Sequence, residues 1–306
     1  MSDSVTATET QIAEELVPRR RSQIGFWAIT RAVFKHRLSR AGIIIIIFFV
    51  FIAVFAPLIS PYHPNKQDLY NVLTGPSKAH WLGTDNVGRD LLSRVIYGAR
   101  ISMAVGFFAT LFSTIIGVCL GLLSGYKGGK TDMVIQRIVD TFMCLPWLVI
   151  VLVLAAALGP GLMNIIIAIA ISGWTGFARL IRGQVLMVRE QQYIESARAA
   201  GASNIRIIFK HLFPNALAPV IVLYSMTMGG AIMTEAGAAF LGLGVQPPTP
   251  SWGQSLRTGY SYLEYVPLFS IAPGVMITMA VLAFNFLGDG LRDALDPRLR
   301  GEGKKQ

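Results

Sequence analysis

Between Ala41 and Ile59 the chain carries no charged side chain, and Ile43–Phe51 are nine consecutive large hydrophobes. A hydrocarbon core about 30 Å thick is crossed by roughly 20 helical residues rising 1.5 Å each, so such a run is long enough to span a bilayer. Five more stretches qualify: Ile101–Ser124, Val134–Ala157, Leu162–Ala178, Leu217–Leu241 and Leu268–Leu287. Composition agrees, since 53% hydrophobic against 14% charged leaves too little charged surface for a soluble chain of 306 residues. The same hydrophobicity excludes intrinsic disorder as the overall state. Outer-membrane strands alternate apolar and polar residues, and Ile43–Phe51 does not. The expectation is an all-α polytopic membrane protein with about six transmembrane helices.

The net charge of +10 is a topology signal. With six spans both termini share a side, and that side holds 21 of the 27 Lys and Arg residues: seven in 1–40, three in 125–137, six in 174–214 and five after 288. The other side holds five in 60–100 and Arg257 alone in the 242–267 loop. The positive-inside rule therefore places both termini in the cytoplasm. No basic patch sits on a soluble module, which disfavours nucleic acid as a partner. Cys119 and Cys144 both fall inside spans and suggest no disulfide framework.

Residues 1–24 read as a disordered cytoplasmic tail. Residues 25–98 read as an interfacial helix, the first span and a long outer segment. In the helix Phe26, Ile29 and Val33 recur at amphipathic spacing among Arg31, Lys35 and Arg37. Residues 99–290 form the core transmembrane domain, with a large inner loop at 179–214, and 291–306 a second cytoplasmic tail. Pro146 is expected to kink the third span, and Gly117, Gly121 and Gly125 form a small-residue stripe for close helix packing.

Catalytic signatures are missing: the chain has no HExxH, no GxSxG and no Cys/His ligand cluster. Ser124-Gly-Tyr-Lys-Gly-Gly-Lys-Thr131 approaches a Walker A loop but has Ser124 where its first glycine belongs, and it joins two spans instead of a strand and a helix. The chain is expected to be neither an ATPase nor any other enzyme.

The inner loop is the most informative segment. Glu195-Ser-Ala-Arg-Ala-Ala-Gly201 offers helix formers and then a glycine suited to a left-handed cap. Ser203 or Asn204 can cap a second helix, in which Ile205, Ile208, Phe209 and Leu212 share a stripe away from Arg206 and Lys210. Pro214 is expected to break that helix before the fifth span. The product is a helix–glycine–helix knob projecting from the membrane.

This knob resembles the EAA signature of ABC importer permeases, a Glu, two small residues, a Gly and a terminal Pro. Glu195, Ser196, Ala197 and Gly201 match, as does His211-Leu-Phe-Pro214; Ser196 stands where Ala is usual and Phe213 where Leu is common. Leu82-Gly-Thr-Asp85, Val87-Gly-Arg-Asp90, Tyr97-Gly-Ala-Arg100, Gln246-Pro-Pro-Thr-Pro250, Leu282-Ala-Phe-Asn285 and Gly288–Pro297 further resemble the C-type subunit of the dipeptide/oligopeptide permease family, over roughly residues 25–300. The resemblance implies a homologous B-type partner subunit, two ATPase subunits carrying the ATP and Mg, a periplasmic or lipid-anchored solute-binding protein and a peptide substrate. It implies no cofactor or metal on this chain. It also implies that Glu195, Ser196, Ala197, Arg198, Gly201, Arg206, His211 and Pro214 belong to the element that couples to the ATPase. Similar permeases import nickel chelates, glutathione or haem. A proton-driven secondary carrier is the competing class, though no histidine lies securely inside a span to relay protons.

Glu235 and Asp140 are the acidic residues expected at membrane depth. For Glu235 we weigh a place on the substrate path against a structural hydrogen bond. Asp140 is expected to pair with Arg137, three residues earlier. The charged residues of 82–100 read either as a receptor for the solute-binding protein or as a solvated loop. The tail's Asp289, Arg292, Asp293 and Asp296 read as an interfacial anchor.

Overall fold

The computed structural model describes residues 33–34 and 36–295. The expected first tail, most of the interfacial helix and residues 296–306 of the second tail lie outside those residues. Long apolar runs can satisfy their backbone polar groups in lipid only within a helix, and helices are what these runs form. The order is α1 (Arg37–Ile59), α2 (Leu91–Lys127), α3 (Gly129–Cys144), α4 (Trp147–Leu158), α5 (Leu162–Arg189), α6 (Gln192–Ala199), α7 (Asn204–Phe240), α8 (Trp252–Tyr260) and α9 (Leu268–Leu295).

Helices α1, α2, α5, α7 and α9 are each long and apolar enough to cross a membrane alone. The third expected span is instead two helices, α3 and α4, meeting at 92° around Leu145-Pro146. Pro146 cannot donate to a continuing helix, and the residue before a proline is driven to extended backbone. Leu145 accordingly sits at ψ 142°. The expected kink is therefore a sharp break. With only 12 residues, α4 rises about 18 Å, short of a full crossing.

Helix α2 is the central post. Its 37 residues rise about 55 Å, well beyond the hydrocarbon core, and it touches α1, α3, α5, α7 and α8. Against α5 the glycine stripe permits near-contact of backbones. A methyl group at Gly117 would lie 2.5 Å from Trp174 O, and one at Gly121 would lie 2.6 Å from Ala178 O. The stripe is thus an internal α2–α5 seam. A second cluster joins Phe49 of α1, Met103 of α2, Ile232 of α7, Trp252 of α8 and Phe284 of α9. Trp252 holds its centre, packing edge-on to Phe49 at 5.3 Å and donating its indole N–H to Val95 O at 2.9 Å.

Candidate functional site

The inner loop folds as an elbow. Helix α6 ends in Gly201 at φ 80°, a left-handed turn that glycine enters without a Cβ penalty. The Ala202 amide donates to Ala197 O at 3.0 Å and the Gly201 amide to Arg198 O at 2.9 Å, closing the helix end in a Schellman motif. Ser203 then caps α7, its hydroxyl accepting from the Arg206 amide at 3.4 Å.

Two expectations about this helix are corrected. Pro214 does not break it: α7 runs unbroken from Asn204 to Phe240. Residues Ile208–Leu212 form a π turn just ahead of the proline, and the wider turn relieves the clash that a Pro ring makes with the carbonyl four residues back. Nor do Ile205, Ile208, Phe209 and Leu212 share one face. Ile205 and Phe209 point outward, 71% and 65% exposed, while Ile207 and Leu212 are buried and Ile208 is half-buried. The π turn changes the phase of the helix, so a regular 3.6-residue wheel misassigns these positions.

Beneath the elbow, Ile194, Ile207 and Leu212 pack with Leu122 of α2 and Phe177, Ile181, Val185 and Val188 of α5. Above it, Ile205, Phe209 and Tyr193 stand exposed. Glu195, Ser196, Arg198, Arg206 and Pro214 also lie on the exposed side, with Ala197 and His211 half-buried. Ser196 Oγ donates to Gln192 O at 3.0 Å, and the His211 ring lies 6.0 Å from that of Tyr193. None of the expected coupling residues is fully buried.

Polar ties that the sequence did not reveal bind the elbow to α2, and α5 to α2 and α3. Tyr126 at the inner end of α2 donates its hydroxyl to Asn204 Oδ1 at 2.7 Å, and the Arg198 guanidinium lies over the Tyr126 ring. Arg189 Nη1 donates to Gly125 O at 3.1 Å. Arg182 of α5 grips Asp132 of α3 through two hydrogen bonds, 2.6 and 2.7 Å, and Ser124 donates to the same carboxylate. The Walker-like stretch is therefore the helix-to-helix joint between α2 and α3, turning on Gly128 and Gly129 at positive φ.

Asp140 pairs with Arg179 of α5 at 2.9 Å, not with Arg137, because α3 packs against α5 and brings that guanidinium across. Glu235 is fully enclosed between helices, and Ser102 Oγ of α2 donates to its Oε2 at 3.2 Å.

At the outer end the charged residues of 82–94 are buried, correcting both readings of that segment as solvent-facing. Asp85 Oδ1 accepts from the Val87 and Arg89 amides, each at 2.9 Å, and Oδ2 faces Arg89 at 2.5 Å and Arg94 at 3.6 Å. Arg94 continues to Gln254 Oε1 at 2.9 Å, stapling α2 to α8. Asp90 caps α2 through the Ser93 amide at 2.8 Å and meets His80 Nδ1 at 2.9 Å. Among the described residues of the charged tail, Asp293 lies 3.9 Å from His36.

Residues 117–301 match the family model described as binding-protein-dependent transport system inner membrane component, and residues 25–76 match the N-terminal TM domain of oligopeptide transport permease C. A dipeptide transport system permease protein of Alkalihalophilus pseudofirmus is 45% identical over 87% of this chain and 88% of its own. A glutathione transport system permease protein of Pectobacterium atrosepticum is 42% identical, covering 90% and 91%. An oligopeptide transport system permease protein of Bacillus subtilis is 41% identical, covering 92% of each chain. Among solved structures, the inward-facing MetNI methionine ABC transporter aligns with a TM-score of 0.56 at 21% identity, over 67% of this chain and 98% of that one, a likeness of fold.

Proposed function

The chain belongs to the binding-protein-dependent transport system inner membrane components, the permease subunits of ABC importers, and from that premise we propose that it imports di- or oligopeptides. In this reading it forms the translocation path with a homologous B-type subunit. A solute-binding protein delivers the peptide from outside, and two ATPase subunits bind the ATP and Mg inside. The observation that carries the coupling role is the elbow, with exposed Ile205 and Phe209 over a buried underside that grips α2 and α5.

An ATPase subunit seated on Ile205 and Phe209 moves the elbow as a rigid piece, because the Schellman turn fixes the angle between α6 and α7. The underside and the Tyr126, Arg189 and Asp132–Arg182 ties pass the movement to α2, α3 and α5. Coupling further requires that ATP-driven closure favour one of two membrane conformations, since equal affinity for both shifts nothing. In that cycle Glu235 meets the path when α2 and α7 part, and its carboxylate suits a peptide's cationic amino group. Asp140 is a weaker path candidate, half-exposed and engaged by Arg179.

Peptide is favoured as substrate by the names of the relatives, and glutathione is itself a tripeptide. The test is uptake of labelled alanyl-phenylalanine in cells lacking native peptide importers and expressing this chain with its neighbouring subunits. A proton ionophore is added while ATP is maintained. Uptake that persists with the ionophore and stops on ATP depletion is expected. Collapse with the proton gradient alone would contradict an ATP-driven importer. No uptake by an assembled complex would redirect the substrate to glutathione, a nickel chelate or haem.

A further inference from the structure

The break between α3 and α4 lies at membrane depth. Phe142, in the last turn of α3, packs edge-on to Trp174 of α5 at 5.8 Å. Trp174 stands 12 residues into the apolar stretch Leu162–Ala178, about 18 Å from its outer start. The chain therefore leaves helical geometry where a bilayer offers no water to its backbone.

Leu145 and Pro146 are both extended, at ψ 142° and 118°, and carry the two helix ends apart. The Leu145 amide turns to Phe142 O, and Val149 and Ile150 both donate to Pro146 O. The carbonyls of Met143, Cys144 and Leu145 lose the amides that a continuing helix would bring, and the amides of Trp147 and Leu148 precede the first helical bond of α4. Pro146, the N-cap, has no side-chain acceptor for them. Around this open backbone Met143, Leu145, Trp147, Val149 and Val153 are exposed. The opposite side of α4 is already covered, with Val151 and Ala155 clustered on Ile165, Ile169 and Ala231.

Lipid tails can cover the exposed hydrophobes but offer nothing to the open amides and carbonyls. Water can reach the backbone but leaves a ring of large hydrophobes wet. A second membrane helix does both, packing apolar side chains on the ring and turning hydroxyl or amide groups to the backbone. Of the partners in the reading above, the ATPase subunits act from inside and the solute-binding protein from outside. Only the B-type subunit stands within the membrane. We propose that the α3–α4 break is the seam at which this chain packs against its homologous B-type permease subunit. The proposal rests on the paired-permease part of that reading and gives the partner its place on this chain.

The test uses the complete transporter in nanodiscs, with photoreactive benzoylphenylalanine at Val153 or at Trp147, whose bulk it matches. Co-elution of all subunits confirms assembly, and the Trp147 probe decides where the Val153 probe prevents it. Irradiation should join the probe to the B-type subunit. Capture of lipid alone, of labelled alanyl-phenylalanine or of a second copy of this chain would overturn the seam. The thiol at the break gives an independent readout. In a Cys119→Ser complex, Cys144 is the only cysteine of this chain, and a charged, water-borne thiosulfonate should leave it unmodified. Modification of Cys144 would place water at the break and overturn the seam as well. Capture of the B-type subunit together with failure of ATP-driven uptake would leave the seam standing and remove the import reading.

Discussion

The two ends of the molecule treat their side chains in opposite ways. At the outer end, charged residues that hydropathy assigns to water are folded inward: Asp85, Arg89, Asp90 and Arg94 are all buried and engaged with one another, with His80 or with Gln254. At the inner end, apolar residues that hydropathy assigns to a core face outward, as at Ile205 and Phe209. A buried ionic network completes its own partners, and breaking it harms this chain alone. An exposed apolar ridge on a rigid turn is completed only by another surface. The contrast marks the ionic network of the outer cap as finished within the subunit and the apolar ridge of the inner elbow as unpartnered, although Leu69, Tyr70 and Trp81 leave exposed apolar surface at the outer end too.

The largest expected effect falls on the cap. Asp85→Asn leaves Arg89 and Arg94 buried without their counter-charge, a loss on the order of 3–5 kcal/mol. It should show as a lowered melting temperature of the detergent-solubilised subunit, with ATPase association retained in whatever fraction folds. A variant as stable as wild type would break the claim that the cap holds itself together.

Next comes the elbow. Phe209→Asp should leave the subunit folded, because the side chain is exposed, yet cost roughly 2–4 kcal/mol of ATPase-subunit affinity, the range of an interface hot spot. Titration of the purified ATPase subunit onto the membrane complex measures it. Unchanged affinity would mean that the ridge faces lipid. A smaller effect belongs to the tie between α3 and α5. Asp132→Asn weakens the bidentate contact with Arg182 by about 1.5–3 kcal/mol and should lower peptide imported per ATP hydrolysed while leaving ATPase affinity intact.

Gly201→Ala is milder. Nothing stands within 4 Å of a Cβ there, so the cost is the left-handed backbone alone, about 1–2 kcal/mol, seen as partial uncoupling. Gly201→Pro removes the amide that donates to Arg198 and forbids the positive φ, and should uncouple transport completely. Equal behaviour of the alanine and proline variants would show that the angle of the turn does not matter.

Much of this was legible in the sequence for a simple reason. Membrane helices satisfy their own backbones, so a long apolar run announces a helix whatever surrounds it. Gly201 was equally plain, and the N-cap was narrowed to Ser203 or Asn204, because a left-handed cap and an N-cap are local chemistry. What stayed hidden depends on contacts across the fold. Asp140 pairs with Arg179 only because α3 packs on α5, and Arg94 meets Gln254 across 160 positions. The π turn before Pro214 hid the true phase of Ile205–Leu212, since a regular period is assumed whenever a helix wheel is drawn. The break at Leu145-Pro146 was signalled by the proline, but its 92° depends on where α4 finds its packing against α5 and α7.

The central claim is that the elbow, and not the cap, meets the ATPase. A photoreactive benzoylphenylalanine placed at Phe209, with a matched probe at exposed Trp81 on the outer face, tests it in the intact complex. Irradiation should join Phe209 to an ATPase subunit, with a yield that changes when ATP is trapped, and should join Trp81 to none. A Phe209 probe that captures only lipid in a complex containing its ATPase subunits, or a Trp81 probe that captures the ATPase, would contradict the account.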